Sequence, residues 1–212
     1  MKSKKNLLEQ LKNLPYFDKN TVHQLGIQFG LKNTTVNTYI SRFLKRKEII
    51  QLKKGLYAAA DFFNKNRGDI SYSFYLANIL RTPSYVSSWT ALQYYNLTTE
   101  SIYTITSITT KVTRTYKTKA GTFTYQSAKK ELFSDFYLVK GTPDLSTGKF
   151  DFFIASPAKA LFDLLYFKTH QFRGILSEDI KPLVGELRID IDEMDKKEQD
   201  KFYEMIKKIF KP

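Results

Sequence analysis

The segment NTTVNTYISRFLKR, Asn33 to Arg46, places short amides and hydroxyls ahead of cations along one helical stretch. Asn33, Thr34, Thr35, Asn37, Thr38 and Ser41 carry groups that can reach base edges in a major groove. Arg42, Lys45 and Arg46 suit phosphate oxygens further along the duplex. Val36, Ile40, Phe43 and Leu44 recur at helical spacing and predict a buried opposite face. A surface helix that is merely polar and basic has the same pattern, so the flanks carry the argument. After Arg46 come two β-capable runs, Ile49–Leu52 and Leu56–Ala58, around Lys53-Lys54-Gly55. Such a basic turn would hold both lysines over a phosphate backbone beside the groove.

Other chemistries find fewer groups. The chain has no cysteine, and its two histidines, His23 and His170, are not spaced as metal ligands. Asp190, Asp192, Glu193 and Asp195 form a carboxylate set of the kind a metal-dependent nuclease needs. They read better as a solvated helix start matched to the helix dipole. Glu131 beside Lys129 and Lys130 reads as a surface turn. Asp163, on an apolar helix, is expected to accept hydrogen bonds from neighbouring backbone or hydroxyls, because a buried carboxylate needs partners. No catalytic residue, metal site or cofactor is expected, and the chain is read as a non-enzyme.

The elements that must position the basic stretch are marked by their caps. Ser3 is the expected cap of a helix over Lys4–Asn13, with Leu7, Leu8, Leu11 and Leu14 on one side and Pro15 stopping it. Asp18 is an N-cap for a helix over Lys19–Phe29, and Gly30 suits the left-handed residue that ends it. Asn33 is the expected N-cap of the third helix. Three helices and a basic hairpin predict a winged helix-turn-helix domain over residues 1–67. Charge agrees: of the whole-chain net +13, residues 1–67 carry fourteen Lys and Arg against four acids, a net +10. That asymmetry points to a polyanionic partner for the first domain.

A larger domain is expected over residues 69–212, after a polar break at Asn64–Gly68. Helices are expected over Ser71–Arg81, Ser84–Tyr95, Ala158–Phe167 and Glu193–Phe210, with a short one capped by Ser177-Glu178-Asp179. Strands are expected at Ile102–Lys117, Thr122–Ser127, Leu132–Val139 and Phe150–Ile154, a loop with Pro143, Asp144 and Gly148 separating the last two. Pro157 behind Ser156 marks a helix start. Tyr94, Tyr95, Tyr103, Tyr116 and Tyr125 are expected mostly in the core. Lys111, Arg114, Lys117 and Lys119, with Lys129 and Lys130, either guard a sheet against edge pairing or make a second basic surface. The predicted class is α+β: a winged helix, then a mixed α+β domain with a mainly antiparallel sheet. No apolar run reaches a membrane span, and the expected location is the cytoplasm.

Several motifs in order are similar to one family. They are Gly55-x-Tyr57 behind the basic hairpin, Tyr85-Val86-Ser87 with Ala91-Leu92 and Tyr95, Gly121-x-x-x-Tyr125, and Ala155-x-Pro157-x-Lys159-Ala160-Leu161-x-Asp163-Leu164. Together they resemble the AbiEi family, antitoxins of type IV toxin–antitoxin systems, from the helix-turn-helix to at least Phe167. The resemblance implies a winged helix that binds inverted repeats in double-stranded DNA at its own promoter and represses the operon. It implies a C-terminal domain that counteracts a cognate AbiEii-like nucleotidyltransferase toxin, and it carries over no catalytic residue. The alternative is a winged-helix regulator whose second domain senses a ligand or oligomerises, with no toxin partner.

Overall fold

Asp18 starts the architecture of the first unit. Its carboxylate accepts from the Thr21 amide at 2.7 Å and the Thr21 hydroxyl at 2.9 Å. Those bonds, the backbone one foremost, hold its pKa below the ordinary carboxylate value. Behind it runs helix α2, Lys19–Gln28. Gly30, at φ +68°, ends the helix as expected, with Leu31 N–H returning to Gly26 C=O at 2.9 Å.

The computed structural model describes residues 2–141 and 150–210, side chains of residues 2–5 excepted. The expected loop residues Pro143, Asp144 and Gly148 lie outside the described residues. Among the described residues the class is mixed α+β, with nine α-helices and two sheets. Contacts divide the chain into two compact units, Met1–Ser73 with Lys117–Ala120, and Phe74–Tyr116 with Gly121–Pro212. None of the described helices is long and apolar enough to cross a membrane.

In the first unit, α1 (Lys2–Lys12) precedes a two-residue strand β1 (Phe17–Asp18), α2 and α3 (Asn33–Lys45). Then follow β2 (Ile49–Lys53), β3 (Leu56–Ala59) and a short helix α4 (Ala60–Asn66). The helix begins at Lys2, so Ser3 lies within α1 rather than ahead of it. The strands form an antiparallel sheet in the order β1-β3-β2, with Phe17 opposite Tyr57 and Gln51 opposite Tyr57 on the other side. Leu7, Leu11, Phe17, Val22, Val36, Ile40, Phe43 and Ile49 make one buried cluster. Removing each such side chain from water is worth up to about 1.5–3 kcal/mol. The helices α2 and α3 approach closely at Gly26, where an added Cβ would lie 2.4 Å from Val36 Cγ2.

In the second unit the sheet order is β6-β7-β5-β4-β9-β8. Its strands are β4 (Ser84–Val86), β5 (Thr104–Thr109), β6 (Arg114–Thr118), β7 (Gly121–Ser127), β8 (Phe136–Val139) and β9 (Phe152–Ala155). The sheets are largely antiparallel, as expected, but this one is mixed. Pairs β4–β5 and β8–β9 are antiparallel, but β4–β9 and β5–β7 are parallel. The chain returns to the sheet through crossovers rather than hairpins alone.

Three expected elements also change. Ser84–Val86 is a buried central strand that follows α5 (Ile70–Leu80) in the chain, and the helix after it, α6, covers only Ser88–Tyr94. The single long strand over Ile102–Lys117 is two, β5 and β6. The last helix, α9, follows the short α8 (Ile180–Glu186), spans Lys196–Ile209 and starts at Asp195, whose carboxylate accepts from Glu198 N–H at 2.8 Å. The tyrosines divide: Tyr125 is fully buried and Tyr94, Tyr95 and Tyr116 are half-buried, whereas Tyr103 is 89% exposed.

Helix α7 (Pro157–Lys168) is buried along most of its length and starts at Ser156, which accepts from Lys159 N–H. Asp163 does accept from hydroxyls, Ser87 at 2.7 Å and Tyr85 at 3.1 Å. Its other oxygen takes the Lys159 ammonium at 2.7 Å, and both charged side chains are about 2% exposed. Burial pushes the carboxyl up while Lys159, Ser87 and Tyr85 pull it down. The same burial, with the neighbouring carboxylate, pushes the Tyr85 phenol up, so it stays a neutral donor. With every oxygen engaged, this is a structural pair that ties α7 to β4 and the start of α6.

Candidate nucleic-acid interface

The outward face of α3 follows from what its inner face buries. Val36, Ile40 and Phe43 are 5% exposed or less. Opposite them, Thr34, Thr38, Ser41 and Lys45 fall at i, i+4, i+7 and i+11, all exposed. Thr35, half-buried, with exposed Arg42 and Arg46, runs along one flank. Asn33 and Asn37, both exposed, run along the other, beside α2.

The hydroxyls differ in what they still offer. Thr38 donates to Thr34 C=O at 3.0 Å and Ser41 to Asn37 C=O at 3.1 Å. Their protons are used, so outward they act as acceptors. The hydroxyls of Thr34 and Thr35 have no partner among the described residues and can donate or accept.

Asn33 is not the N-cap of α3; that position is Lys32, with no side-chain cap bond. The reason is a tertiary competitor. Asn33 Oδ1 lies 2.7 Å from His23 Nδ1, and Asn37 Oδ1 lies 3.0 Å from His23 Nε2. The imidazole of α2 thus bridges two amides one turn apart on α3.

At the far end, Glu48 N–H returns to Phe43 C=O at 2.9 Å around Lys47, whose φ is +59°. This closure is what turns the chain from α3 into β2. The hairpin β2–β3 shifts register between Gln51 and Lys53 and turns at Gly55, φ +79°. Lys19 N–H donates to Gly55 C=O at 3.0 Å, anchoring the turn to the start of α2. Lys54 is exposed at the tip and Lys53 half-buried.

Among the described residues, Arg42, Lys45, Arg46 and Lys54 have no carboxylate within salt-bridge distance. Among the acids of the unit, Glu9 and Asp61 both pair with Lys12, at 3.4 and 3.0 Å, and Asp18 caps α2, whereas Glu48, half-buried just after α3, keeps one oxygen without a hydrogen-bond partner among the described residues. The positive charge of Arg42, Lys45, Arg46 and Lys54 is left without a carboxylate partner among the described residues, an arrangement that suits a polyanion.

Lys111, Arg114, Lys117, Lys119, Lys129 and Lys130 are all exposed; contacts group Lys117 and Lys119 with the first unit and the other four with the second. Arg114 and Lys117, three apart on a strand, point to opposite faces of β6. β6 is the outermost strand of its sheet, where cations oppose pairing with another chain. Arg114 also lies 5.4 Å from the Tyr116 ring centre.

Asp190, Asp192, Glu193 and Asp195 are exposed, and Asp195 caps α9. No group of three or more potential metal ligands occurs among the described residues. Sequence reasoning named His23 and Lys159 without these roles and did not single out Gly26. The one available signal for His23 is the i, i+4 pair of asparagines on the flank of α3. Compared with known proteins, the chain matches no family model and no curated protein.

Proposed function

We propose that the chain is a sequence-specific DNA-binding regulator whose first unit is a winged helix. In this reading α3 enters the major groove, with Asn33, Thr34, Thr35, Asn37 and Thr38 towards bases. Ser41 lies beside them, with its acceptor outward. Arg42, Lys45 and Arg46 bind phosphates, and Lys53 and Lys54 on the hairpin bind the flanking backbone. The observation that carries the reading is the uncompensated cationic and amide face of α3, opposite a fully packed inner face. The helix–helix–hairpin order and the three-stranded sheet support it.

The resemblance to AbiEi antitoxins extends the reading. The regulator binds inverted repeats at its own promoter, represses the operon, and through its second unit counteracts a nucleotidyltransferase toxin. The protein acts by binding, not catalysis, in the cytoplasm. Fluorescence anisotropy of the full chain on its own upstream duplex tests the first claim. Tight binding that an unrelated duplex fails to compete away is expected, and equal affinity for both duplexes refutes it. Co-expression with the adjacent open reading frame tests the second: rescue from that product's toxicity is expected.

One observation favours a ligand-sensing second unit instead. A cleft of about 280 Å³ is lined by Tyr75, Ile79, Pro83, Phe133, Phe136 and Phe153. A regulator of that kind would release DNA when an apolar small molecule is added and would give no rescue.

A further inference from the structure

The His23 bridge limits what Asn37 has left for a base. A neutral imidazole carries one N–H and one lone pair, and an imidazolium carries two N–H groups. With both amide oxygens facing the ring, the imidazolium satisfies the pair as it stands. A neutral ring protonated on Nε2 does the same once the Asn33 amide turns to donate, whereas one protonated on Nδ1 needs the Asn37 amide to turn instead. With the Asn37 amide as it is placed, Oδ1 meets Nε2 at 3.0 Å and the NH2 group is left for another partner.

An unconstrained asparagine reads adenine with both ends of its amide, accepting from the N6 amino group and donating to N7. A donor-only asparagine leaves the adenine amino group unmatched. Guanine instead presents two adjacent acceptors, N7 and O6, to which one NH2 group can donate. We infer that His23 is a specificity-determining positioning residue: by holding Asn37 Oδ1 against α2, it makes Asn37 a donor-only reader that selects guanine over adenine. The inference rests on the DNA-binding reading proposed above.

Selection of duplexes from a randomised pool by the full chain tests it. Asn37→Ala identifies the contacted position as the one whose base preference disappears. At that position the wild type is expected to favour guanine. His23→Phe keeps a ring between the helices and removes both bonds. It is expected to raise the adenine-to-guanine ratio about tenfold, within the range set by one bidentate base contact. Unaltered preference in His23→Phe, a wild-type preference for adenine, or no position lost in Asn37→Ala each overturns the inference alone. Enrichment of no duplex by the wild type overturns the DNA-binding reading and the inference with it. A measurement on the free wild-type protein needs no variant: imidazole ¹⁵N spectra are expected to show a protonated Nε2, and a bare Nε2 overturns the inference.

Discussion

Replacing Lys45 and Lys54 by alanine, singly and together, should lower the salt dependence of duplex binding in equal steps. Lys45 ends α3 and Lys54 tips the hairpin; both are exposed and unpaired among the described residues. Each lysine on a phosphate releases one condensed counterion, and the slope of log K against log salt changes by about 0.9 per contact. The double variant should therefore lose about 1.8 from the slope. On the same relation, each substitution weakens binding roughly fivefold at about 0.15 M salt, close to 1 kcal/mol. The double variant weakens it about 30-fold there, and each single step grows to about fifteenfold at 0.05 M. Anisotropy titrations at four or five salt concentrations, on specific and random duplexes, read both quantities. The loss should be the same on both duplexes, because phosphates carry no sequence. Lys197→Ala, an exposed lysine on α9, is the control. An unchanged slope in the double variant, or an equal change in the control, refutes the placement of these cations on DNA.

Three stability experiments follow from the packing. Gly26→Ala puts a methyl group into Val36 and should cost about 1–3 kcal/mol in urea unfolding; Val36→Ala in the same chain should recover part of that loss, and simple additivity would refute the contact. Lys159→Met leaves Asp163 buried without its cation and should cost about 3–5 kcal/mol, whereas Lys159→Met with Asp163→Leu should recover most of it; an equally unstable double variant would show that the hydroxyl bonds dominate. Asp18→Ala should cost about 1 kcal/mol at neutral pH. Because the folded pKa of Asp18 lies below its unfolded value, that contribution is present above the ordinary carboxylate range and lost as pH falls through the folded value. The gap between wild type and variant should close in acid, and a gap that widens would contradict the cap.

What could be read from the chain was what local chemistry dictates. Asp18 and Gly30 end their helices as their types require, because each acts within a few residues of itself. Ser156-Pro157 worked for the same reason. Asn33 has the right chemistry for a cap but is claimed by His23, ten residues back on another helix, which periodicity cannot reveal. Ser84 looks like a cap followed by a helix. Its three-residue strand is instead specified from outside, by β5 on one side and β9 on the other. A central strand buried on both faces shows no alternation to betray it. At the candidate interface, the residue types on α3 were legible, while the use of the Thr38 and Ser41 protons by their own helix was visible only in three dimensions.

The spacing of partners along the chain sets an order of assembly. Every residue of the front cluster, out to Phe62 packed against it, has left the ribosome before the other sheet has any strand. Val86 must wait for Ile154, and Ser87 and Tyr85 for Asp163, which lies 76 and 78 residues downstream. Distant pairings of that kind close slowly. During each round of translation the nascent protein therefore passes through a stage in which the front end is knit and the rear is still raw, open to proteases and to strand-seeking neighbours.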